Sequence, residues 1–248
     1  MQIRRTINGS IRLTRFTEYL AFVIVTTLLG ATAASNGSFG WKLIGVLFAN
    51  WLAVAFAFMI NDVEDAEDDE LTPHKCRQHP VAERDLSPFT ARLMSFGVAA
   101  GSALVCSTLG KTTFLLGLIT LLISFLYSWK PVRLKNIAFV DFLTHGFMLS
   151  GLQFLTGYFA FDPAPFVHWI FPFLFIFCIS CYGEMFNEMR DLDGDLNAGL
   201  KHTAAVLGPR VTVRLMGAVM VLAVISGMMT AFVIRLFTFW VLWLVFAL

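Results

Sequence analysis

Seven apolar runs, each long enough to cross a bilayer, dictate most of what this chain can become. They lie near Thr17–Ala34, Trp41–Ile60, Leu93–Leu109, Thr113–Trp129, Ile137–Phe161, Phe166–Phe186 and Leu215–Ile234. A last apolar piece, Phe237–Leu248, runs to the end of the chain as an incomplete eighth. A helix needs about 17–25 such residues to span the hydrocarbon layer. Lipid offers no hydrogen bonds, so each run must satisfy its own backbone as a helix. Charge agrees: 14% of residues are charged, against about 25% in soluble domains. The predicted fold is all-α, a polytopic transmembrane bundle in an integral, multi-pass membrane protein.

Orientation follows from the basic residues. Met1–Phe16 is a basic leader carrying Arg4, Arg5, Arg12 and Arg15. It has no cleavage pattern, so the first run reads as a retained helix. With the N-terminus inside and the loops alternating, only Lys42, Lys111 and Arg235 of the 18 Lys and Arg fall outside. The positive-inside rule therefore predicts a cytoplasmic N-terminus in a cell inner or plasma membrane. The net charge of +1 gives no sign of a nucleic-acid partner. Four cysteines form no framework, and Cys178-x-x-Cys181 inside a span reads as packing.

Two acidic motifs stand out against this background. Asn61-Asp62-Val63-Glu64-Asp65-Ala66-Glu67-Asp68-Asp69 follows the second run, and six of its nine residues are carboxylates. Asn187-Glu188-Met189-Arg190-Asp191-Leu192-Asp193-Gly194-Asp195 follows the sixth. Both read Asn-(Asp/Glu)-x-x-Asp-x-x-x-Asp. Continued as helices, they stack Asn61, Asp65 and Asp69, and Asn187, Asp191 and Asp195, on one face each. Such stacks repel themselves unless a hard cation such as Mg²⁺ sits among the oxygens. The loop count puts both motifs on the cytoplasmic side.

Basic residues accompany the motifs. Lys75 and Arg77 follow the first, Arg190 lies inside the second, and Lys201 follows it. A third inner loop reads Tyr127-Ser128-Trp129-Lys130-Pro131-Val132-Arg133-Leu134-Lys135. Carboxylates holding Mg²⁺ beside Arg and Lys make a seat for a diphosphate. The apolar remainder offers a tunnel for a lipid tail. An allylic diphosphate ionises when its departing charge is stabilised, and an apolar pocket keeps the cation from water.

With these residues in view, the chain resembles the UbiA superfamily of intramembrane prenyltransferases. Asn61–Asp69 matches that family's NDxxDxxxD motif. Tyr127-Ser128-x-x-Pro131-x-Arg133-Leu134-Lys135 matches its YSxxPxRLK-like loop. Asp191 and Asp195 match the DxxxD of its second motif, with Gly194-Asp195 as the usual ending. The resemblance spans nearly the whole chain. It implies a bundle around a central cavity open to the cytoplasmic side, with two Mg²⁺ ions. By motif position Asn61, Asp62, Asp65 and Asp69 hold one ion, and Asp191 and Asp195 the other, with Asn187 and Glu188 beside them. Lys75, Arg77, Arg133 and Lys135, with Arg190 and Lys201, are the implied diphosphate contacts. Asp65, Asp191 and Tyr127 are the residues on which catalysis is expected to turn. The implied activity is transfer of a prenyl group from a polyprenyl diphosphate to an aromatic or lipid-like acceptor.

Three departures qualify the match. Glu188 stands where many relatives have Asp. In Lys75-Cys76-Arg77-Gln78-His79-Pro80, His79 stands where an Arg before Pro is common, which either weakens that phosphate contact or makes it pH-dependent. Relatives have nine helices, so residues 1–248 read as a single domain that is either truncated at its C-terminus or a short variant. His74, His145, His168 and His202 show no metal spacing. Asp141, near the start of the fifth run, could orient an acceptor or act as a base, or charge a helix N-terminus.

Rival functions make distinct demands. A terpene cyclase of the same superfamily quenches the cation within its own chain and needs no acceptor. A cation transporter places its carboxylates near the bilayer midplane, whereas these lie at helix ends. A non-catalytic lipid-binding scaffold has no use for the repeated Asn and Asp spacing.

Overall fold

The computed structural model describes residues 2–34, 39–70, 73–162 and 169–233. The Pro163-Ala164-Pro165 turn, His168 and the Phe237–Leu248 piece lie outside them. The described residues form helices and turns, with no strand among them. In chain order the helices are α1 (Gln2–Thr14), α2 (Phe16–Ala34), α3 (Gly40–Glu64), α4 (Ala66–Glu70), α5 (Pro73–Gln78) and α6 (Pro88–Leu109). Then come α7 (Lys111–Ser128), α8 (Val140–Gly146), α9 (Leu152–Phe161), α10 (Ile170–Asn197), α11 (Thr203–Leu207) and α12 (Pro209–Met228).

Local chemistry sets the boundaries. Ser87 caps α6 by accepting from Thr90 N–H at 3.1 Å, with Pro88 in the first turn. The basic leader is itself helical. Arg15, with φ at 47°, separates α1 from α2. Arg12 fixes α1 to the loop after the first motif, meeting Glu83 at 2.7 Å and Asp85 at 3.1 Å.

Six helical stretches among the described residues are long and apolar enough to cross a membrane: Arg5–Ala34, Gly40–Glu64, Pro88–Leu109, Lys111–Ser128, Ile170–Asn197 and Pro209–Phe232. The expected fifth run differs from them. It forms α8, a π-helical turn at Phe147–Gly151, and α9. Its polar residues explain the difference, because they face the bundle rather than lipid: Ser150, Gln153 and Thr156 are all buried. Asn50 on α3 donates to Thr27 Oγ1 on α2 at 2.8 Å and to the Gln153 carbonyl on α9 at 3.0 Å. That polar node ties three helices where lipid could supply no partner.

Small residues let α2 and α9 touch. A Cβ on Gly30 would lie 2.1 Å from the Phe154 carbonyl oxygen, and one on Gly157 would lie 2.6 Å from that of Thr27. The outer surface is apolar, with Leu104, Leu122 and Val221 exposed. A surface of that kind belongs in a bilayer. α3 runs through the middle, burying Val54, Ala55, Phe56, Met59 and Ile60, and delivers the first acidic motif at its end.

Candidate active site

The first motif leaves the bundle at the C-terminal end of α3. The helix ends at Glu64, Asp65 bends the chain, and α4 resumes at Ala66. Hydrogen bonds from Asp65 N–H to the Asn61 carbonyl and from Asp69 N–H to that of Asp65 keep nearly helical spacing. The side chains nevertheless divide between two sets of partners. Asn61, Asp65 and Asp68 meet the third loop, residues 127–135. Asp62 and Asp69 meet His79. The expected stack therefore holds for Asn61 and Asp65, while Asp69 joins Asp62.

The third loop supplies cations to the first set. Lys135 Nζ donates to Asn61 Oδ1 at 2.8 Å and also binds Asp65 Oδ2. Arg133 donates to Asp65 at 3.0 Å and to Asp68 at 2.5 Å. Ser128 Oγ donates to Asn61 Oδ1 at 3.0 Å. Arg133 holds this pose from a left-handed backbone, φ 45°, a conformation that costs energy in a non-glycine residue. Burial opposes the charge on Asp65, but Lys135 and Arg133 outweigh it and hold the carboxyl below its ordinary value.

The second set is a histidine clasp. His79 Nδ1 lies 2.5 Å from Asp69, and Nε2 lies 3.8 Å from Asp62. Arg15 reaches Asp62 at 3.2 Å from the start of α2. Burial works against a charged His79, and the two carboxylates raise its pKa in spite of that.

The second motif continues α10. His202 Nδ1 lies 3.3 Å from Glu188, and Nε2 lies 3.3 Å from Asp195. Burial again opposes the charged ring, but the two carboxylates push its pKa up to about 9. Glu188 also accepts from Ala204 N–H at 2.9 Å. Lys75, from the loop after the first motif, reaches Asp195 at 3.4 Å and joins the two motifs. Asn136 joins the third loop to the second motif's loop by accepting from Lys201 N–H at 2.5 Å.

Asp141 is a structural tie. Thr203 donates to it through both N–H and Oγ1, the latter at 2.6 Å, and Phe142 N–H donates at 2.7 Å. Ligand atoms of Asp141, Glu188 and His202 lie within 4.8 Å of one another. With three donors already on it, Asp141 serves to fix the loop that carries His202.

Other expected site residues stand apart. Asp191 pairs with its neighbour Arg190 at 3.1 Å, and Arg190 is exposed. Among the described residues no ion pair links Asp65 directly to the second motif. Arg77 and Lys201 are exposed, and each contributes only its backbone to the contacts here. Asn187 is half-buried. Tyr127 is buried, and its hydroxyl donates to Glu184 Oε1 on α10. Sequence reasoning missed His202 and Glu184. Glu184 carried a usable signal, because an acidic residue inside a span is rarely idle. His202 carried none beyond its place after the second motif.

The donor set fits a hard divalent cation. The motif ligands are carboxylate and amide oxygens. Asp62 Oδ2 and Glu188 Oε1 are buried without a hydrogen-bond partner among the described residues. A buried carboxylate oxygen left in that state calls for a ligand.

Comparison with known proteins agrees with this geometry. Residues 23–248 match the model of the UbiA prenyltransferase family. The chain is similar to a lycopene elongase/hydratase of Haloarcula japonica, 31% identical over 194 residues, or 75% of this chain and 58% of that protein. It is also similar to a digeranylgeranylglyceryl phosphate synthase of Methanopyrus kandleri, 25% identical over 155 residues, or 62% of this chain and 54% of that protein. It thus spans between half and two thirds of the length of these relatives. A UbiA homologue from Archaeoglobus fulgidus, solved bound to GPP and Mg²⁺, shares its fold: TM-score 0.76, 21% identity, 88% of this chain and 76% of that one. A family match over all but the first 22 residues settles the kinship, and the chain belongs to the UbiA prenyltransferase family.

Proposed function

We propose that residues 1–248 act as one UbiA-like domain that moves a prenyl group from a polyprenyl diphosphate to a hydrophobic acceptor at the cytoplasmic face of the membrane. The observation that carries the reading is the meeting of two acidic helix ends and their cations. Lys75 binds Asp195 of the second motif, while Arg133 and Lys135 bind Asp65 of the first. These three cations are the ones placed to turn from carboxylate to diphosphate oxygens.

Asn61, Asp62, Asp65 and Asp69 are the residues to hold one Mg²⁺, and Glu188, Asp191 and Asp195, with Asn187 beside them, a second. When bound, Mg²⁺ supplies Lewis-acid stabilisation of the leaving diphosphate. The chain's own residues do the rest. Arg133, Lys135 and Lys75 absorb charge as the bond to carbon one breaks. The bundle interior shields the allylic cation from water. Tyr127 stands one residue from Ser128, which bonds Asn61, and that adjacency supports its assignment to the donor site.

Membranes carrying the protein can be incubated with labelled geranylgeranyl diphosphate, Mg²⁺ and a membrane lipid extract, with products read by mass spectrometry. The expected result is a prenylated product and diphosphate release, lost at least about 100-fold in Asp65→Ala and Asp191→Ala. Full activity in either variant overturns the assignment. A cyclic hydrocarbon formed without the extract moves the chain to the cyclase reading.

A further inference from the structure

A separate polar group lies inside the bundle, beyond both motifs. Glu184 on α10 precedes Glu188 by one turn and Asp191 by two. The carboxylates at 184, 188, 191 and 195 therefore line one face of the helix. Both Glu184 oxygens are engaged. The Tyr127 hydroxyl on α7 donates to Oε1, and His145 Nε2 on α8 lies 3.2 Å from Oε2. His145 Nδ1 in turn meets Ser180 Oγ at 3.3 Å.

Three features mark this group as more than a helix cross-link. A carboxylate inside a membrane-spanning helix is costly and usually functional. Among the described residues no Lys or Arg lies within 4.0 Å of Glu184, so it is not the buried half of a salt bridge to a strong cation. The helix bearing His145 also leaves regular geometry at once, passing into the π turn Phe147–Gly151. Such turns gather at functional sites. Gly146 brings α8 unusually close to α10 there, since a Cβ on it would lie 2.6 Å from Cys181 Sγ.

The group also adjoins the motifs. Tyr127 is followed by Ser128, which bonds Asn61 of the first motif at 3.0 Å. Glu184 shares its helix face with the second. Two of the three side chains are not sealed off either: 15% of Glu184 and 14% of His145 remain accessible.

We propose that Glu184, held by Tyr127 and His145, accepts the proton that prenyl transfer releases. The inference rests on the prenyl-transfer reading and adds the fate of that proton. The bond from carbon one to the diphosphate oxygen breaks, and its electron pair leaves with the diphosphate. The acceptor, through an oxygen lone pair or a π bond, forms the new bond to carbon one with that electron pair. It is then one proton in excess. That proton passes to the Glu184 carboxylate, while Tyr127 and His145 keep the group in place. Glu184 is the catalytic base, and Tyr127 and His145 are positioning residues.

Two readouts on purified protein in lipid nanodiscs separate this step from ionisation. Geranylgeranyl diphosphate labelled with ¹⁸O in the bridging position scrambles its label whenever the carbon–oxygen bond opens and recloses. Transfer is followed with two probes, a prenylated glycerol phosphate as alcohol and lycopene as alkene. Glu184→Gln should scramble within about threefold of wild type and lose transfer by about 100-fold or more. His145→Gln should lose transfer by about tenfold and keep scrambling, and both variants should unfold at temperatures close to wild type. Transfer at the wild-type rate by Glu184→Gln overturns the proposal. So does parallel loss of scrambling and transfer in that variant, which makes the residue part of donor binding or of the fold. A wild type that neither scrambles the label nor releases diphosphate has a different meaning, bringing down the ionisation step itself.

Discussion

His79 and His202 hold the same place in the two acidic motifs. Each is supplied by the loop that follows its motif, and each sits between carboxylates seven residues apart: Asp62 and Asp69 for one, Glu188 and Asp195 for the other. A spacing of seven puts two side chains on one helical face, two turns apart. One imidazole, with a nitrogen on each side, spans that gap. The clasp holds four of the motif carboxylates in place and spares them mutual repulsion.

The second clasp makes stability depend on pH. The pKa of His202 is raised from 6.5 to about 9 in the folded protein. A raised value means that the fold favours the protonated ring. Its stabilisation is complete below about pH 6.5 and is lost as pH rises through about 9. In detergent with the divalent cations chelated, the thermal midpoint of the wild type should fall between pH 7 and pH 10. His202→Gln should start lower at pH 7 and lose less across that interval. Equal slopes in both proteins would show that the clasp does not titrate.

Arg133 makes a prediction about donor affinity. It reaches Asp65 and Asp68 together from a left-handed backbone. Lysine cannot reproduce two such bonds, because its ammonium is a single point charge on a flexible stem. Arg133→Lys should raise KM for the prenyl diphosphate by about tenfold, and Arg133→Ala by more, with a smaller change in kcat. Steady-state kinetics at saturating Mg²⁺ would decide it. A kcat loss at unchanged KM would mean that Arg133 acts only in the transition state.

Packing between α2 and α9 gives a prediction free of any ligand. The carbonyl oxygen of Phe154 occupies the place of a Gly30 side chain, 2.1 Å from the position of its Cβ. Backbone cannot yield as a flexible side chain can. Gly30→Ala should destabilise the protein by roughly 1–3 kcal/mol or more. Gly194→Ala, where nothing lies within 4 Å, should cost nothing through contact. Thermal unfolding of the two variants in one detergent checks the contrast.

How far the sequence could be read depends on which force fixed each feature. Lipid leaves a spanning backbone one solution, so α2, α3, α6, α7 and the apolar part of α10 lie where hydropathy puts them. The stretch from Val140 to Phe161 obeys a second force. Its polar side chains turn inward onto backbone carbonyls of their own stretch, its Gln153 carbonyl accepts from Asn50 across the bundle, and no window on the sequence shows Asn50 beside Gln153. Arg133 and Lys135 were legible as cations near the motifs, read as diphosphate contacts, and that both turn onto Asp65 shows only in the fold. His202 was not, since its position depends on Asp141 anchoring Thr203 from another helix. Asp191 shows the opposite limit: its spacing matches Asp65, yet it pairs with its own neighbour Arg190.

Magnesium should be visible in stability before any substrate is added. Asp62 Oδ2 and Glu188 Oε1 are buried oxygens without hydrogen-bond partners among the described residues, one in each motif. A cation bound there satisfies them in the folded state alone, since the unfolded chain has no assembled site. Binding to the folded state stabilises by about 2.7 kcal/mol at 100 times the dissociation constant. Titrating Mg²⁺ into chelator-treated protein should therefore raise the thermal midpoint in a saturable way. Asp62→Asn should weaken that response by removing one of these carboxylates, and Asp62→Asn with Glu188→Gln should abolish it. Lys75→Ala should leave the response in place, because Lys75 meets Asp195 as a cation and not as a ligand. A midpoint that ignores Mg²⁺ in the wild type, or climbs equally in the double variant, would place the ion somewhere other than these motifs.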